Sequence, residues 1–206
     1  MDRSRSILLF GLIGPILTLV LIFADIAVSP WYSWSSNALS DLGVHPYSYL
    51  FNGGVIIGGL AEMIFFVYVG RKVNYFRGIY LLLAVGGVSL ALVGVFNENS
   101  PDDLHLIFAL LYFVLFPISA IIVGARTVGK HREFSIYSIL SGIIALAVIL
   151  YGIMFIFRVV SHTVGLGVPE IIEAMILAAW SAIISISLIR NNELFEVKGR
   201  SSNTNS

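Results

Sequence analysis

Six uninterrupted apolar segments dominate the sequence and limit what the chain can fold into. Each is about 20 residues long, the length that an α-helix needs to cross the hydrocarbon core of a bilayer. Hydrophobic residues make up 58% of the chain and charged residues only 12%, a balance that excludes an ordinary soluble domain. The sequence therefore predicts an all-α polytopic integral membrane protein, a bundle of six transmembrane helices, with spans at 7–28, 49–70, 78–96, 105–124, 136–157 and 169–189.

The segments between the spans are too short to hold a further domain. Residues 1–190 are therefore predicted to form a single transmembrane domain, and residues 191–206 a short polar cytoplasmic tail. The first span is expected to be retained, because its apolar run exceeds the ~7–15 residues of a signal-peptide core. The chain contains no cysteine, which excludes disulfides, thiolate catalysis and cysteine metal ligands.

The basic residues predict the orientation of the chain. Of the 12 lysines and arginines, all except Arg158 fall in the N-terminus, the second and fourth connections or the tail. Because basic residues favour cytoplasmic loops, both termini are predicted to be cytoplasmic in a cell-membrane protein. The connections 29–48, 97–104 and 158–168 then face outward, and the first two are acidic. A basic patch typical of nucleic-acid binding is absent from the sequence, so a nucleic-acid partner is not expected.

The longest outward connection contains the polar stretch SSNALSDLGVHP, residues 35–46. Trp31 and Trp34 lie just before it and are suited to anchoring it at the level of the lipid headgroups. Asp41 and His45 are four positions apart, so they share a face if the stretch forms a short helix. The alternative is a capped turn, in which serine or asparagine side chains bond the local backbone. The first interpretation places Asp41 over the mouth of the bundle.

Three of the four histidines, His45, His105 and His162, fall on the predicted outward side. Imidazole is the commonest metal ligand and titrates near physiological pH, so these three are candidate ligands of a divalent metal such as zinc. Their spacing matches no metal-binding motif, and a site has to be assembled from separate connections. The alternative for His45 and His162 is a purely interfacial position.

Helix capping explains most polar residues at the start of the fourth and sixth spans, but not His105 or Glu173. Ser100 followed by Pro101 predicts an N-cap and a first helical residue, and Val168 followed by Pro169 predicts the same for the sixth span. His105 and Glu173 then lie at matched depth, one turn further in. Because unpartnered burial is costly, they are expected to satisfy each other, with Asp41 as a third member. Asp41, His105 and Glu173 are therefore the predicted catalytic residues.

Glu62 lies near the middle of the second span, where a charge facing lipid is costly. It is predicted to be buried in the bundle, either as a proton carrier or ligand contact or as a neutral carboxyl bonded to a neighbouring helix. Together with Ser40 and His45 it is a candidate substrate-binding residue. By contrast, the glycines of Gly54-x-x-x-Gly58 and of Gly86-Gly87 are predicted to mediate close packing of helices.

The segments SNALSDLG and VGVFNENSPDDLHLIFALLYFVLFP, with Asn97, Pro101 and His105 in the second, resemble the domain-of-unknown-function 998 (DUF998) family of bacterial and archaeal membrane proteins. The similarity covers residues 7–190 and implies the six-span topology, without implying a substrate. A more distant likeness is to the Frag1/DRAM/Sfk1 group of six-span proteins.

Three functions are compatible with these residues. One is a hydrolase or transferase that acts on a lipid or isoprenoid headgroup, with a metal generating the nucleophile from water. Another is a proton-linked transporter or channel, in which Glu62 continues a polar path below His105 and Glu173. The third is an accessory or scaffold subunit of a membrane complex. A polar path that reaches Glu62 favours transport, whereas convergence of Asp41, His105 and Glu173 away from Glu62 favours an enzyme. Scattered positions of these side chains favour the scaffold.

Overall fold

The computed structural model describes residues 3–72, 77–129, 131–156 and 165–190. Their regular elements are helices: α1 (Arg3–Leu8), α2 (Phe10–Val28), α3 (Ser48–Lys72), α4 (Arg77–Val95), α5 (Leu104–Thr127), α6 (Arg132–Ile156) and α7 (Gly167–Ile189). Short 3-10 helices cover Ser40–Val44 and Pro101–Asp103.

Six helical segments are long and apolar enough to cross a membrane, as the sequence predicts. The first, Arg5–Val28, combines the end of α1 with α2. The fifth begins at Arg132, four residues before its predicted start at 136. The helix continues beyond the apolar part of the span because the residues there favour helix and their long side chains extend towards the headgroups. The predicted tail, 191–206, lies outside the described residues.

The six spans form a closed ring. Each of α2 to α6 packs against the next helix in the chain, and α7 packs against both α6 and α2. Because the connections are short, neighbouring helices run in opposite directions. One end of the ring, here called the acidic end, holds Asp41, Glu98, Asp102 and Asp103, whereas the other, the basic end, holds Arg71, Lys72, Arg77, Arg126 and Arg132.

Glycine pairs bring the helix backbones into contact, which confirms the packing role predicted for them. A Cβ atom built on Gly87 of α4 would lie 2.7 Å from the carbonyl oxygen of Gly59 on α3, and one on Gly59 would meet the backbone of Ala91. At the contact between α2 and α3, Gly58 faces Thr18, whose hydroxyl donates a hydrogen bond of 3.0 Å to the carbonyl of Gly54. The hydrophobic effect does not drive helices together in lipid. Close packing at small residues therefore stabilises these helix contacts instead.

Asp25, near the acidic end of α2, has a structural role. Its side chain is 1% exposed, and its carboxylate accepts hydrogen bonds from the Ser29 hydroxyl at 3.2 Å and the Phe51 amide at 3.1 Å. Phe51 lies in the first turn of α3, where backbone N–H groups have no partner within the helix. Asp25 therefore satisfies the start of α3 and joins the ends of the two helices.

Aromatic rings fill the centre of the ring towards the basic end. Phe66, Tyr80, Phe116 and Trp180, here called the aromatic plug, come from α3, α4, α5 and α7, and each is 0% exposed. The Phe66 ring centroid lies 5.4 Å from that of Phe116 and 6.3 Å from that of Trp180. The Trp180 indole N–H donates to Ser138 of α6 at 2.8 Å, which fixes the plug to a fifth helix.

Candidate functional site

A cavity of about 70 Å³ lies between the helices, on the side of the plug that faces the acidic end. Five of the spans and the 29–47 connection contribute to its wall. Its polar lining residues are Thr18, Ser40, Glu62, His105, Tyr112 and Glu170, and its apolar lining residues are Pro15, Leu19, Ile22, Leu39, Phe51, Val55, Leu90, Val93, Ala109, Phe113, Ala174 and Ala178. The volume is room for about five water molecules.

The lining residues follow from helical periodicity, since positions three or four apart share a face. On α5 the face contains His105, Ala109 and Tyr112 in succession, and Phe116 continues it one turn further into the plug. On α3, Glu62 lies one turn before Phe66 of the plug. The same two helices therefore provide both the floor of the cavity and the barrier below it.

Glu62 lies at the floor of the cavity, and the prediction that it is buried is confirmed, since the side chain is 1% exposed. Its Oε2 atom is buried and has no hydrogen-bond partner among the described residues. The Tyr112 hydroxyl lies within hydrogen-bonding reach of the carboxyl. Arginine and lysine are absent from the cavity lining within the described part of the chain, so no basic side chain there neutralises Glu62.

Glu173 faces a second cavity of about 70 Å³ between α5, α6 and α7. It is 2% exposed, and its Oε1 atom also lacks a hydrogen-bond partner in the described structure. Ala109, Phe113 and Glu170 line both cavities. Tyr112, which is within hydrogen-bonding reach of Glu62, is also within electrostatic range of Glu173.

The polar connection between α2 and α3 covers the acidic end of the cavity. Within it the Asp41 carboxylate accepts hydrogen bonds from the Asn37 amide at 2.7 Å and the Ala38 backbone N–H at 3.1 Å. Asn37 in turn accepts from the Ser33 backbone at 3.0 Å. Asp41 therefore organises the connection itself, and the predicted short helix, Ser40–Val44, ends before His45.

Glu170 attaches this connection to α7. Its Oε2 atom accepts a hydrogen bond of 2.5 Å from the backbone N–H of Leu39, a residue that is 4% exposed and lines the cavity. The nearby Tyr32 hydroxyl is buried. Burial, with the charges of Glu170 and Asp41 as further causes, raises the pKa of Tyr32, so its phenol stays neutral at physiological pH.

The capping predicted for the fourth span is confirmed only in position. Ser100 is the N-cap residue and Pro101 the first residue of the short 3-10 helix, but Ser100 makes no side-chain hydrogen bond, and α5 begins at Leu104 after Asp102 and Asp103, whose φ angles are 60° and 52°. Aspartate tolerates this left-handed conformation because its short polar side chain can bond locally. His105 therefore lies in the first turn, where its Nδ1 atom is 2.8 Å from the carbonyl oxygen of Phe96.

A carbonyl oxygen only accepts hydrogen bonds, so His105 Nδ1 must carry the proton. Phe96 directly follows α4, where carbonyl groups lack partners within the helix. His105 thus caps α4, and the expectation that it satisfies Glu173 is wrong. In the sixth span the predicted cap is also displaced, because α7 begins at Gly167 rather than at Pro169.

The three predicted catalytic residues have separate surroundings. Asp41 bonds its own connection, His105 bonds the end of α4, and Glu173 faces the second cavity. Within the described residues no hydrogen bond joins any two of them. Of the predicted substrate-binding residues, Ser40 and Glu62 do line the main cavity.

The candidate metal ligands are not brought together where the structure describes them. His45 is exposed and packs on Trp31, with ring centroids 3.8 Å apart, whereas His105 lines the cavity. His162 lies outside the described residues. Among the residues that the structure does describe, no three histidine, aspartate or glutamate side chains are grouped so that they could hold a metal ion.

Two residues of the site, Glu170 and Tyr112, were not among the sequence candidates. Glu170 is in the first turn of α7, as predicted, and helix capping was a sufficient explanation for it. Tyr112 is one of many aromatic residues in α5. Tyr112 lies seven residues after His105, so both are on one helical face, and this spacing was the sequence feature that could have identified it.

The fold and the cavity define the class: a multi-pass membrane protein, a ring of six helices around an intramembrane cavity with a buried acid at its floor. Within that class the chain belongs to the family described as "Protein of unknown function (DUF998)", whose model matches residues 12–187. No curated protein and no solved structure matches the chain. None of the comparisons shows the likeness to the Frag1/DRAM/Sfk1 group.

Proposed function

We propose that this protein is a proton-linked transporter in which Glu62 takes up and releases the proton. The observation that carries the proposal is the cavity that extends from Ser40, His105 and Glu170 at the acidic end to Glu62 in mid-span. Ionisable residues at membrane depth are costly, and those that face the bundle interior or a cavity mark ion pathways and proton relays. The unpartnered Oε2 atom of Glu62 fits this role.

Titratable side chains occur at both ends of the cavity. His105 and Glu170 line it at the acidic end, and Tyr112 lies beside Glu62 at the floor. The cavity has room for water between them, which is the usual medium for proton transfer across several ångströms. The aromatic plug separates Glu62 from the basic end, so the cavity reaches towards the acidic end, where the connection between α2 and α3 covers it.

We give less weight to a hydrolase or transferase of lipid or isoprenoid headgroups, with or without a divalent metal. Its candidate residues Asp41, His105 and Glu173 have separate partners, whereas acid–base or metal catalysis needs them within reach of the same substrate atoms. An accessory or scaffold role needs neither an internal cavity nor an unpartnered acid.

Glu62→Gln tests the proposal because it preserves the shape of the side chain and removes the titrating group. In liposomes with an entrapped pH indicator and an inside-negative potassium diffusion potential, the wild-type protein is expected to acidify the lumen faster than protein-free liposomes. The variant is expected to reduce the rate to that of protein-free liposomes. Glu133→Gln is the matched control, since Glu133 is an exposed glutamate in the first turn of α6 at the basic end.

Wild-type rates equal to those of protein-free liposomes contradict the proposal. So does a Glu62→Gln protein that remains as fast as the wild type. The folded state of each variant is compared by its thermal unfolding in detergent, so that loss of flux through misfolding is recognised.

We also propose that the acidic end faces outward and that both termini are cytoplasmic in the cell membrane. The support is the concentration of basic residues at the other end of the ring. Because the chain has no cysteine, single cysteines report the orientation directly. In intact cells a membrane-impermeant maleimide is expected to label Ser36→Cys, which is exposed at the acidic end, and to leave Gly129→Cys at the basic end unlabelled. The reverse labelling pattern contradicts this orientation.

A further inference from the structure

We propose that the cavity binds a small organic ammonium ion of about five non-hydrogen atoms, with Glu62 as its counter-ion. This inference rests on the transporter proposed above and names the class of ligand that exchanges with the proton. It is carried by three properties of the same cavity: its charge, its apolar and aromatic wall, and its size.

The charge of the cavity selects a cation. Glu62 is 1% exposed, lines the cavity and has an unpartnered carboxylate oxygen, and Glu170 lines the same space nearer the acidic end. No arginine or lysine occurs in this lining as the structure describes it. A buried carboxylate without a cationic partner is unfavourable, so it either takes up a proton or pairs with a ligand that supplies the positive charge. An anionic ligand would meet the two glutamates, with His105 as the single basic side chain of the lining as described.

The wall of the cavity selects an organic cation over a metal ion. Between Glu62 and the acidic end the wall is mainly aliphatic, with Ile22, Val55, Leu90 and Val93 among its residues. Divalent and other hard cations need several oxygen ligands, and the described residues contain no group of three acids or histidines that could provide them. An alkylated ammonium ion carries its charge on an apolar surface and loses little hydration by entering such a space.

Aromatic rings add a second attraction for an ammonium group. Phe51, Tyr112 and Phe113 line the cavity, and Tyr112 is also the residue beside Glu62. A cation over an aromatic face is attracted by the ring quadrupole, and this interaction is the usual means by which proteins recognise quaternary ammonium groups. The volume of about 70 Å³, room for about five water-sized groups, suits a ligand of the size of tetramethylammonium.

One carboxylate binds either a proton or the ammonium ion, so the two ligands exclude each other at Glu62. This exclusion couples the two ligands at one site, and their exchange across the membrane also requires that the site open to each side in turn. The proton is released towards water when the cation binds, and the cation leaves when the carboxylate is protonated again.

The test measures binding of tetramethylammonium to the purified full-length protein in detergent by equilibrium dialysis. Tert-butanol, which is neutral and of nearly the same shape, is the matched ligand control. Saturable binding of tetramethylammonium, with at least tenfold weaker binding of tert-butanol, is expected for the wild type. Glu62→Gln is expected to weaken tetramethylammonium binding at least tenfold, and Glu133→Gln to leave it unchanged.

Absence of saturable tetramethylammonium binding by the wild type overturns the inference, as does equal binding of tert-butanol or an unchanged affinity in folded Glu62→Gln. The comparison of tetramethylammonium with tert-butanol uses only the wild-type protein, so it tests the inference even if Glu62→Gln does not fold. If tetramethylammonium fails to bind while Glu62-dependent proton flux is present, the ligand class is wrong and the transporter stands. Binding that depends on Glu62, with no proton flux even when a tetramethylammonium gradient is imposed across the liposome membrane, supports the ligand class and overturns the proton function.

Discussion

Gly59→Ala is expected to destabilise the protein by about 1–3 kcal/mol, in contrast to the usual effect of alanine in a helix. A Cβ atom at this position would meet the backbone of Gly87 and Ala91 on α4. Backbone atoms cannot rotate out of the way as a side chain can, so α3 and α4 must separate. The separation also removes contacts along the rest of their shared interface.

The matched control is Gly53→Ala in the same helix, where an added Cβ meets no atom within 4 Å. There alanine is expected to stabilise the helix by up to about 1 kcal/mol, so the two substitutions should change stability in opposite directions. Thermal unfolding of both purified variants in detergent measures the difference. If Gly59→Ala unfolds at or above the wild-type temperature, the contact between α3 and α4 is not the one described.

The fold was predictable because hydrophobicity acts on whole segments. Six long apolar runs leave few alternatives in a bilayer, where backbone groups must be satisfied within each helix. The helix ends were less predictable. At Ser100 and Pro101 the local signals favour a helix start, but two aspartates in a left-handed conformation delay the start to Leu104. Because α5 starts a few residues later than predicted, His105 lies in its first turn and bonds the carbonyl of Phe96.

The candidate site was predictable only in part, because it depends on which helical faces meet. Glu62 was identifiable from the sequence, because a charged side chain in mid-membrane has a high free energy whatever residues surround it. The partner of Glu170 is set by long-range packing, since the Leu39 amide from which it accepts lies 131 residues away in the sequence. Asp41, by contrast, bonds the nearby Asn37 and Ala38. Helix capping was a sufficient local explanation for Glu170, and a single sequence does not reveal the long-range contact.

Phe116→Ala is expected to open a path from Glu62 towards the basic end and to raise proton flux at least several-fold. The Phe116 ring is 0% exposed, and its centroid lies 5.1 Å from that of Tyr112 and 6.2 Å from that of Trp180. It therefore connects the floor of the cavity to the plug. Its removal leaves a cavity and costs about 3–5 kcal/mol of stability, so flux is measured below the unfolding temperature of the variant.

Phe108→Ala provides the control for flux, because Phe108 belongs to the same helix and stacks on Phe96 at the acidic end, away from the plug. It is expected to leave the flux at the wild-type level. The double variant Phe116→Ala/Glu62→Gln then separates a specific path from a leak. If protons move through Glu62, the second substitution abolishes the gain, since the opened path no longer contains the acid at the floor of the cavity. Flux that persists in the double variant means that protons bypass Glu62, and an unchanged flux in Phe116→Ala means that the plug is not the barrier.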